Sequence, residues 1–230
     1  KCADKYEVRN YLKSKGYENN LINILGVWDE ANSINWNELP KKFALKRTNG
    51  CGYNIICLDK SKIEEREVKK LLNKWQKDKF GMYNVEPHYD KMPSKIVCEE
   101  YIDSDGRLPV DYKIHCFNGQ AKFIMVCDGR VRGYTTFYYY DFNKRPLLFS
   151  SENADSPLEI DDTLFKEMIN MSNDIAKDFP FVRVDFYIHK RKLIIGELTF
   201  TPTAGYDYTI TKEGDYAIGQ MFEIGNWREK

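Results

Sequence analysis

Hydrophobic residues alternate with polar ones over residues 182–189, which is the period of a β-strand with one buried face. A polar turn follows, and residues 193–195 begin a second apolar run. The pattern predicts a β-hairpin in which Asp185 and Glu197 lie roughly opposite each other if the turn is tight. Thr199 lies two residues after Glu197, so it shares the same face of its strand.

Three segments have the spacing of amphipathic helices. Residues 61–79 and 161–178 carry apolar residues every third or fourth position, and residues 4–16 do so over a shorter length that ends in glycine. Residues 29–35 and 80–94 are predicted as polar or irregular connections between regular elements.

Apolar runs predict most of the remaining strands, at 24–28, 41–46, 54–58, 95–102, 111–117 and 121–127. Asn118 and Gly119 separate the last two runs, and this dipeptide is the strongest short signal for a β-hairpin. A run rich in tyrosine and phenylalanine covers 134–142, and residues 215–227 close the chain. Helices and strands together predict an α+β protein.

Length and charge limit the possible classes of function. The chain has 230 residues, enough for one large domain or two small ones, with 35 basic and 35 acidic residues. A net charge of zero argues against a global attraction to nucleic acid or membrane, although a local basic groove stays compatible with it. No apolar run is long enough to span a membrane, and the first residues do not resemble a signal peptide. The six cysteines form no C-x-x-C pair, so we expect a reduced, cytoplasmic protein without structural zinc.

The predicted hairpin carries the strongest candidate chemistry. Two carboxylates, Asp185 and Glu197, and the Thr199 hydroxyl form a hard oxygen cluster suited to Mg²⁺ that carries nucleotide phosphates. The alternative is an exposed hairpin with scattered acidic residues.

A second candidate site follows the strand that ends at Lys46. Asn49, Gly50 and Gly52 form a flexible loop that suits phosphate binding, because glycine lets the backbone approach closely and lysine supplies a positive charge. The segment matches neither the P-loop nor the Rossmann pattern, and the alternative is an ordinary glycine-containing turn.

The end of the strand at 95–102 could bind adenine, since Glu99 and Glu100 offer polar contacts and the backbone of Tyr101 and Ile102 offers hydrogen bonds. The alternative is an ordinary strand end. The three histidines have no metal-ligand spacing, and we expect His115 to be a structural residue rather than a base.

Taken together and in order, these segments resemble the ATP-grasp superfamily, and most closely its TupA-like branch, which is named for teichuronopeptide biosynthesis. The resemblance covers nearly the whole chain. The matching segments are 4–5, 45–46 with the loop after it, 99–102, 111–113, 183–185 and 196–205.

The resemblance implies roles for individual residues. Nucleotide contacts are expected from Lys5, Lys46, Asn49, Gly50, Gly52, Glu99, Glu100, Tyr101, Ile102 and Asp111, with the loop 47–53 as a cover over the phosphates. Mg²⁺ ligands are expected at Asp185, Glu197 and Thr199, where many ATP-grasp enzymes have asparagine in place of the threonine. Catalytic contacts are expected from Arg183, Lys113 and Arg130.

The resemblance also implies an architecture of two α/β lobes with ATP in the cleft between them. The N-terminal lobe with the glycine loop is expected at 1–95 and the C-terminal lobe with the Mg²⁺-binding strands at 96–230. The domain that commonly precedes these lobes is expected to be absent or truncated, with further sequence upstream of residue 1.

The implied activity is ligation of a carboxylate to an amine, with ATP and Mg²⁺ as cofactors and an acyl phosphate as intermediate. The expected substrates belong to a bacterial cell-surface polysaccharide or its precursor, with no nucleic-acid partner and no membrane span. Two alternatives stay open: a kinase that acts on a sugar or glycan, and a non-catalytic module that binds nucleotide or glycan. The sequence gives no indication of oligomeric state.

Overall fold

The computed structural model describes residues 1–103, 109–128, 135–152, 154–223 and 225. The chain divides into two units, Lys1–Ile102 and Asp103–Lys230. Each unit contains one antiparallel sheet and its own helices, which confirms the predicted α+β class. Within the described residues, no helix combines the length and the apolar character needed to cross a membrane.

The sheet of the first unit has four strands in the order β1-β4-β2-β3. These are β1 (Ile24–Trp28), β2 (Phe43–Arg47), β3 (Asn54–Cys57) and β4 (Ile96–Glu100), and the helices are α1 (Val8–Ser14), α2 (Glu65–Lys77) and α3 (Phe80–Tyr83). Strand β4 pairs with both β1 and β2, so this sheet extends past the boundary at residue 95 that the sequence predicts.

Helix α2 provides part of the core of the first unit. Val68 and Leu72 of α2 are buried in the same hydrophobic cluster as Leu45 of β2. Ala31 and Ile34 are also fully buried in this cluster, although the sequence predicts a polar connection there. These two apolar side chains attach an otherwise polar segment to the core.

The sheet of the second unit has five strands in the order β7-β6-β5-β8-β9. These are β5 (Asp111–Phe117), β6 (Gln120–Asp128), β7 (Thr136–Tyr140), β8 (Phe181–His189) and β9 (Lys192–Thr199), and the helices are α4 (Asp162–Ala176) and α5 (Lys212–Gly219). Both predicted hairpins are confirmed. Asn118 and Gly119 have φ values of 51° and 78°, the left-handed pair that a two-residue hairpin turn requires.

The two faces of this sheet differ. Helix α4 contacts β5, β6, β8 and β9, and its Ser172 carbonyl lies 3.9 Å from the Sγ atom of Cys116. Ile114 and Val184 are cross-strand neighbours on that same apolar face and are fully buried. Because side chains alternate along a strand, Lys113, Arg183 and Asp185 project from the opposite face.

Candidate functional site

A carboxylate faces a carboxylate on the neighbouring strands β8 and β9. The register pairs Asp185 with Glu197 and Arg183 with Thr199, which confirms the predicted hairpin register. On the other side of β8, the register pairs Lys113 of β5 with Asp185. Three adjacent strands therefore place these five polar side chains on one face.

A β-bulge at Gly196 keeps this arrangement compatible with the core. Glu197 is opposite Asp185, but Ile195 is opposite Phe186, so Gly196 is the extra residue on β9. The bulge lets Ile195 and Leu198 both remain buried while Glu197 stays on the polar face. A Cβ atom at position 196 would lie 2.7 Å from the Cε2 atom of Tyr187, so any side chain here would force the Tyr187 ring to move.

Asp185 is the centre of the polar network and is almost completely buried. Arg183 binds it in bidentate fashion, with Nε donating to Oδ1 and Nη2 donating to Oδ2, both at 2.7 Å. The Nζ atom of Lys113 also donates to Oδ2. Such charge-assisted, bidentate contacts are the strong class of hydrogen bonds.

Glu197 and Thr199 form the more accessible end of the network. The Nη2 atom of Arg183 lies 3.4 Å from Oε1 of Glu197 and 3.1 Å from Oγ1 of Thr199. The Thr199 hydroxyl lies 3.4 Å from the same Glu197 oxygen. The Glu197 side chain is 36% exposed, so its carboxylate can be reached by a ligand.

The charges around Asp185 determine its protonation state. Burial alone would raise the pKa of Asp185, but Arg183 and Lys113 overcome this effect and lower it below its usual value. Asp111 is also fully buried, with its Oδ2 atom 3.6 Å from Lys113 Nζ. Lys113 therefore lies between the buried carboxylates of Asp111 and Asp185.

His115 is the cross-strand neighbour of Arg183 and lies beside this network. Its ring stacks on Phe123 with centroids 4.4 Å apart. Burial, followed by the nearby Arg183 charge, lowers the pKa of His115 to about 3, so the imidazole is neutral. Its Nδ1 atom has no hydrogen-bond partner among the described residues. A structural role for His115 fits its burial and stacking.

The oxygen atoms of this face fit a magnesium site in their chemistry. Asp185, Glu197 and Thr199 supply hard oxygen atoms, and Mg²⁺ is commonly bound by one or two carboxylates together with substrate phosphates. Both oxygens of Asp185 accept hydrogen bonds from cations, so Glu197 is the more available ligand. In the described ranges, no group of three or more His, Cys, Asp or Glu residues is arranged to hold a metal.

In the first unit, the predicted nucleotide residues Lys46 and Glu99 form an ion pair with Nζ and Oε2 2.6 Å apart. Lys46 is on β2 and Glu99 on β4, and the pair projects from the side of the sheet opposite Leu45 and the α2 core. Glu99 is buried and Lys46 is about one-fifth exposed, so the lysine is the accessible partner.

The loop after β2 is attached at its base. Lys5 donates from Nζ to the Gly50 carbonyl at 2.5 Å and from its backbone N–H to the Thr48 carbonyl at 2.9 Å. Gly50 and Gly52 have φ values of 87° and 82°, in the region that favours glycine. The predicted residue Lys5 therefore contacts the loop that contains the predicted residues Gly50 and Gly52. Residues 51 and 52 are the exposed part of this loop.

Asn49 has a structural explanation that the sequence did not reveal. It is buried, its Oδ1 accepts from Arg47 Nε at 2.8 Å, and its Nδ2 donates to the Tyr89 carbonyl at 2.9 Å. Arg47 also donates to the carbonyls of Trp75 and Asp78, at 2.6 and 2.9 Å. This guanidinium satisfies carbonyls at the end of α2 and simultaneously positions Asn49. A contact of the Asn49 side chain with phosphate stays a prediction.

The remaining predicted residues occupy varied positions. Glu100 is exposed, and its backbone N–H donates to the Asn23 carbonyl at 2.9 Å. Tyr101 and Ile102 are half-buried, and the Nζ atom of Lys42 lies 5.6 Å from the centre of the Tyr101 ring. Arg130 lies outside the described residues.

The hydrophobic pattern predicts neither the bulge at Gly196 nor the contacts of Arg47. The only sign of the bulge in the hydrophobic pattern is that Ile195 and Leu198 are three positions apart, whereas side chains on one face of a regular strand are an even number of positions apart. Arg47 follows Lys46 and was treated as part of the loop, because its carbonyl acceptors are distant in sequence.

Several solved structures share the fold at low sequence identity. A D-alanine–D-alanine ligase from Bacillus anthracis complexed with ATP superposes with a TM-score of 0.59 and 15% identity, over 95% of this chain and 61% of that ligase. A D-cycloserine synthetase, DcsG, gives 0.55 and 13%, over 96% and 69%. An L-amino acid ligase from Bacillus licheniformis gives 0.51 and 15%, over 86% and 42%.

The chain thus spans about three-fifths of the length of the Bacillus anthracis ligase. Comparison with curated protein sequences gives no match. The sequence profile of the family described as TupA-like ATPgrasp, however, matches residues 1–223. That match covers nearly the whole chain and agrees with the two-sheet fold, and the protein belongs to the TupA-like ATP-grasp family.

Proposed function

We propose that the protein is an ATP-dependent carboxylate–amine ligase that acts through an acyl phosphate. The observation that carries the proposal is the network in which Arg183, Asp185, Glu197, Thr199 and Lys113 share one sheet face. Membership of the ATP-grasp family and the fold shared with ligases support it.

The proposed reaction has two steps. A carboxylate oxygen of the first substrate attacks the γ-phosphorus of ATP, and ADP leaves. The amine nitrogen of the second substrate then attacks the acyl carbon, phosphate leaves, and the nitrogen loses a proton to solvent. No protein nucleophile is needed, so the chain must mainly position the reactants and stabilise charge.

Arg183 and Lys113 are proposed to stabilise the charges that develop. Arg183 Nη2 lies within 3.4 Å of oxygens on Asp185, Glu197 and Thr199, so it is fixed from three sides. A cation fixed in this way can stabilise an oxyanion without reorganisation. Arg130 is proposed as a further contact to the acceptor.

Mg²⁺ would be held by Asp185 and Glu197, with Thr199 beside them, and when bound it would neutralise phosphate charge. Asp185 can supply an oxygen to the metal if one of its two cations gives up its hydrogen bond. Glu197 can do so directly, because its carboxylate is accessible.

ATP is proposed to contact residues of the first unit and Asp111. Lys46 and Lys5 would contact the phosphates under the loop with Asn49, Gly50 and Gly52. Adenine would contact the segment that contains Glu99, Glu100, Tyr101 and Ile102. The Lys46–Glu99 ion pair supports this assignment, because it places a partly exposed lysine beside that segment.

We further propose that the substrates belong to a bacterial cell-surface polysaccharide or its precursor, and that the reaction takes place in the cytoplasm. The support is the resemblance to the teichuronopeptide-type branch and the proposed use of ATP, which is supplied in the cytoplasm.

The first test combines nucleotide binding with trapping of the intermediate. The wild-type protein should bind Mg²⁺-ATP in calorimetry, and with glucuronic acid, D-alanine or glutamate as trial carboxylates it should form a hydroxamate in hydroxylamine. Glu197→Gln should reduce hydroxamate formation at least about 10²-fold because it loses a metal ligand and a network acceptor. Binding of ATP without Mg²⁺ should be unchanged.

The matched control is Glu167→Gln, at an exposed position of α4, which should behave as wild type. Absence of ATP binding at millimolar concentration would exclude the ligase. A stable phosphorylated product instead of a hydroxamate would identify a kinase, and full turnover by Glu197→Gln would remove the proposed metal role.

A further inference from the structure

Helix α2 carries a basic stripe, formed by Arg66, Lys70, Lys74 and Lys77, at spacings of four, four and three residues. Such positions lie above one another on one side of a helix. All four are exposed and line an open groove together with Asn32, Asn73 and the ion pair of Lys69 with Glu65 at 2.6 Å. The apolar side of α2, with Val68 and Leu72, faces the core instead.

The stripe has few acidic partners. Lys70 has Glu67 at 3.8 Å, and both side chains are largely exposed. Within the described part of the chain, no ion pair involves Arg66, Lys74 or Lys77. Like charges at i,i+4 destabilise a helix, so local stability alone does not explain the arrangement.

An exposed apolar tip follows directly after this helix. It is formed by Met82, Tyr83 and Val85, which are 69%, 77% and 79% exposed. Met82 is five positions after Lys77 in the chain, so the two Cα atoms are at most about 18 Å apart.

The protein holds this apolar tip in an ordered turn. The Glu86 N–H donates to the Gly81 carbonyl at 2.8 Å, and the Gly81 N–H donates to Asp90 Oδ1 at 2.9 Å. The ring of Phe80 is buried against Tyr89 with centroids 5.3 Å apart. The tip is therefore presented to solvent by a fixed base.

We propose that the basic stripe and the apolar tip dock the protein on an anionic phospholipid bilayer. The cations would lie against lipid headgroups, and the apolar tip would enter the boundary between headgroups and acyl chains. A soluble polyanion would explain the stripe but would leave the three exposed apolar side chains without a contact.

The attraction is local rather than a property of the whole chain. The protein has equal numbers of acidic and basic residues, whereas residues 60–79 contain eight basic and four acidic side chains. A bilayer surface attracts a basic segment within about one Debye length, so this local excess is sufficient. The proposal does not depend on the ligase assignment.

The test is co-sedimentation of the full chain with vesicles of phosphatidylcholine that contain either no phosphatidylglycerol or about one-third phosphatidylglycerol. We expect binding to the anionic vesicles, release by roughly 0.5 M salt, and little binding to the neutral vesicles. The charge-reversal variant Lys70→Glu/Lys74→Glu/Lys77→Glu should weaken binding at least about tenfold. Met82→Ser/Tyr83→Ser/Val85→Ser should weaken it severalfold.

Matched controls change the same number of charges or exposed apolar groups elsewhere. Lys166→Glu/Lys192→Glu/Lys212→Glu and Leu58→Ser/Leu148→Ser/Tyr216→Ser should bind as wild type does. If a triple variant does not fold, the single variants Lys74→Glu and Tyr83→Ser replace it in the same co-sedimentation assay, and each should weaken binding to the anionic vesicles. Failure of the wild type to bind anionic vesicles would overturn the proposal, as would binding that is unaffected by loss of the apolar tip.

Discussion

At the scale of single residues, burial and neighbouring charges give Asp185 and His115 different charge states. Asp185 is buried but ionised because Arg183 and Lys113 stabilise its charge. His115 lies next to the same Arg183 and is neutral, because burial and that positive charge both oppose protonation. Both groups therefore stay deprotonated in the folded protein, Asp185 as an anion and His115 as a neutral ring, and acid destabilises the fold through both.

His115 gives a prediction for the pH dependence of stability. The unfolded chain takes up a proton near pH 6.5, whereas the folded protein does not until about pH 3, so acidification through this range favours unfolding. His115→Phe keeps the stacking on Phe123 and removes the titration. Between pH 7 and 5 the wild type should lose roughly 1–2 kcal/mol more unfolding free energy than this variant.

Urea unfolding at both pH values measures this difference. The control is His189→Phe, at the half-exposed end of β8, which should retain the acid sensitivity of the wild type. Equal pH dependence in His115→Phe and the wild type would contradict the assignment of His115 as a buried neutral histidine.

At the scale of elements, the bulge on β9 sets the position of Glu197. Gly196→Ala should destabilise the protein by about 1–2 kcal/mol, because the new Cβ overlaps the Tyr187 ring. In a Tyr187→Ala background the same change should cost much less, since the overlapping atoms are gone. A double-mutant cycle in chemical denaturation measures this coupling.

Gly219→Ala is the matched control, because a Cβ there meets no atom within 4 Å. Additive effects of the Gly196 and Tyr187 substitutions would show that the bulge does not depend on this close contact.

Elements with a strong local signal could be predicted from the sequence. The Asn118–Gly119 turn and the alternation along β8 fix both hairpins within one or two residues. The predicted first helix, at 4–16, is only Val8–Ser14, because Asp4 accepts hydrogen bonds from the Tyr6 and Glu7 N–H groups and forms a turn instead.

Long-range contacts could not be predicted. The polar hairpin residues were found because a register follows from counting along two adjacent strands. The role of Asn49 depends on Tyr89, 40 residues away, and the burial of Ala31 depends on α2. Neither partner is marked by a local pattern, so the sequence predicts neither the hydrogen bonds of Asn49 nor the burial within residues 29–35.

At the scale of the whole molecule, the cysteines differ in exposure, and each of the two units contains two buried ones. Cys51 is exposed, whereas Cys57 and Cys98 are buried in the first unit and Cys116 and Cys127 in the second. Burial raises the pKa of Cys98 and of Cys116 to about 12, which keeps them unreactive in the folded state.

We expect a thiol reagent to label Cys51 first and the four buried cysteines only when their unit unfolds. Mass spectrometry across a denaturant series should show Cys57 with Cys98 and Cys116 with Cys127 as two groups. Labelling of Cys98 as fast as Cys51 in the native protein would contradict the core of the first unit.

One guanidinium in the first unit connects the end of α2 with the base of the glycine loop. Arg47 binds the carbonyls of Trp75 and Asp78 at the end of α2 and also the side chain of Asn49 at the base of the glycine loop. A shift of the backbone at the end of this helix would therefore disturb hydrogen bonds of the same side chain that holds the base of the loop. The proposed bilayer-docking surface includes α2 and the proposed phosphate cover is the loop, so Arg47 is the side chain through which docking would affect nucleotide binding.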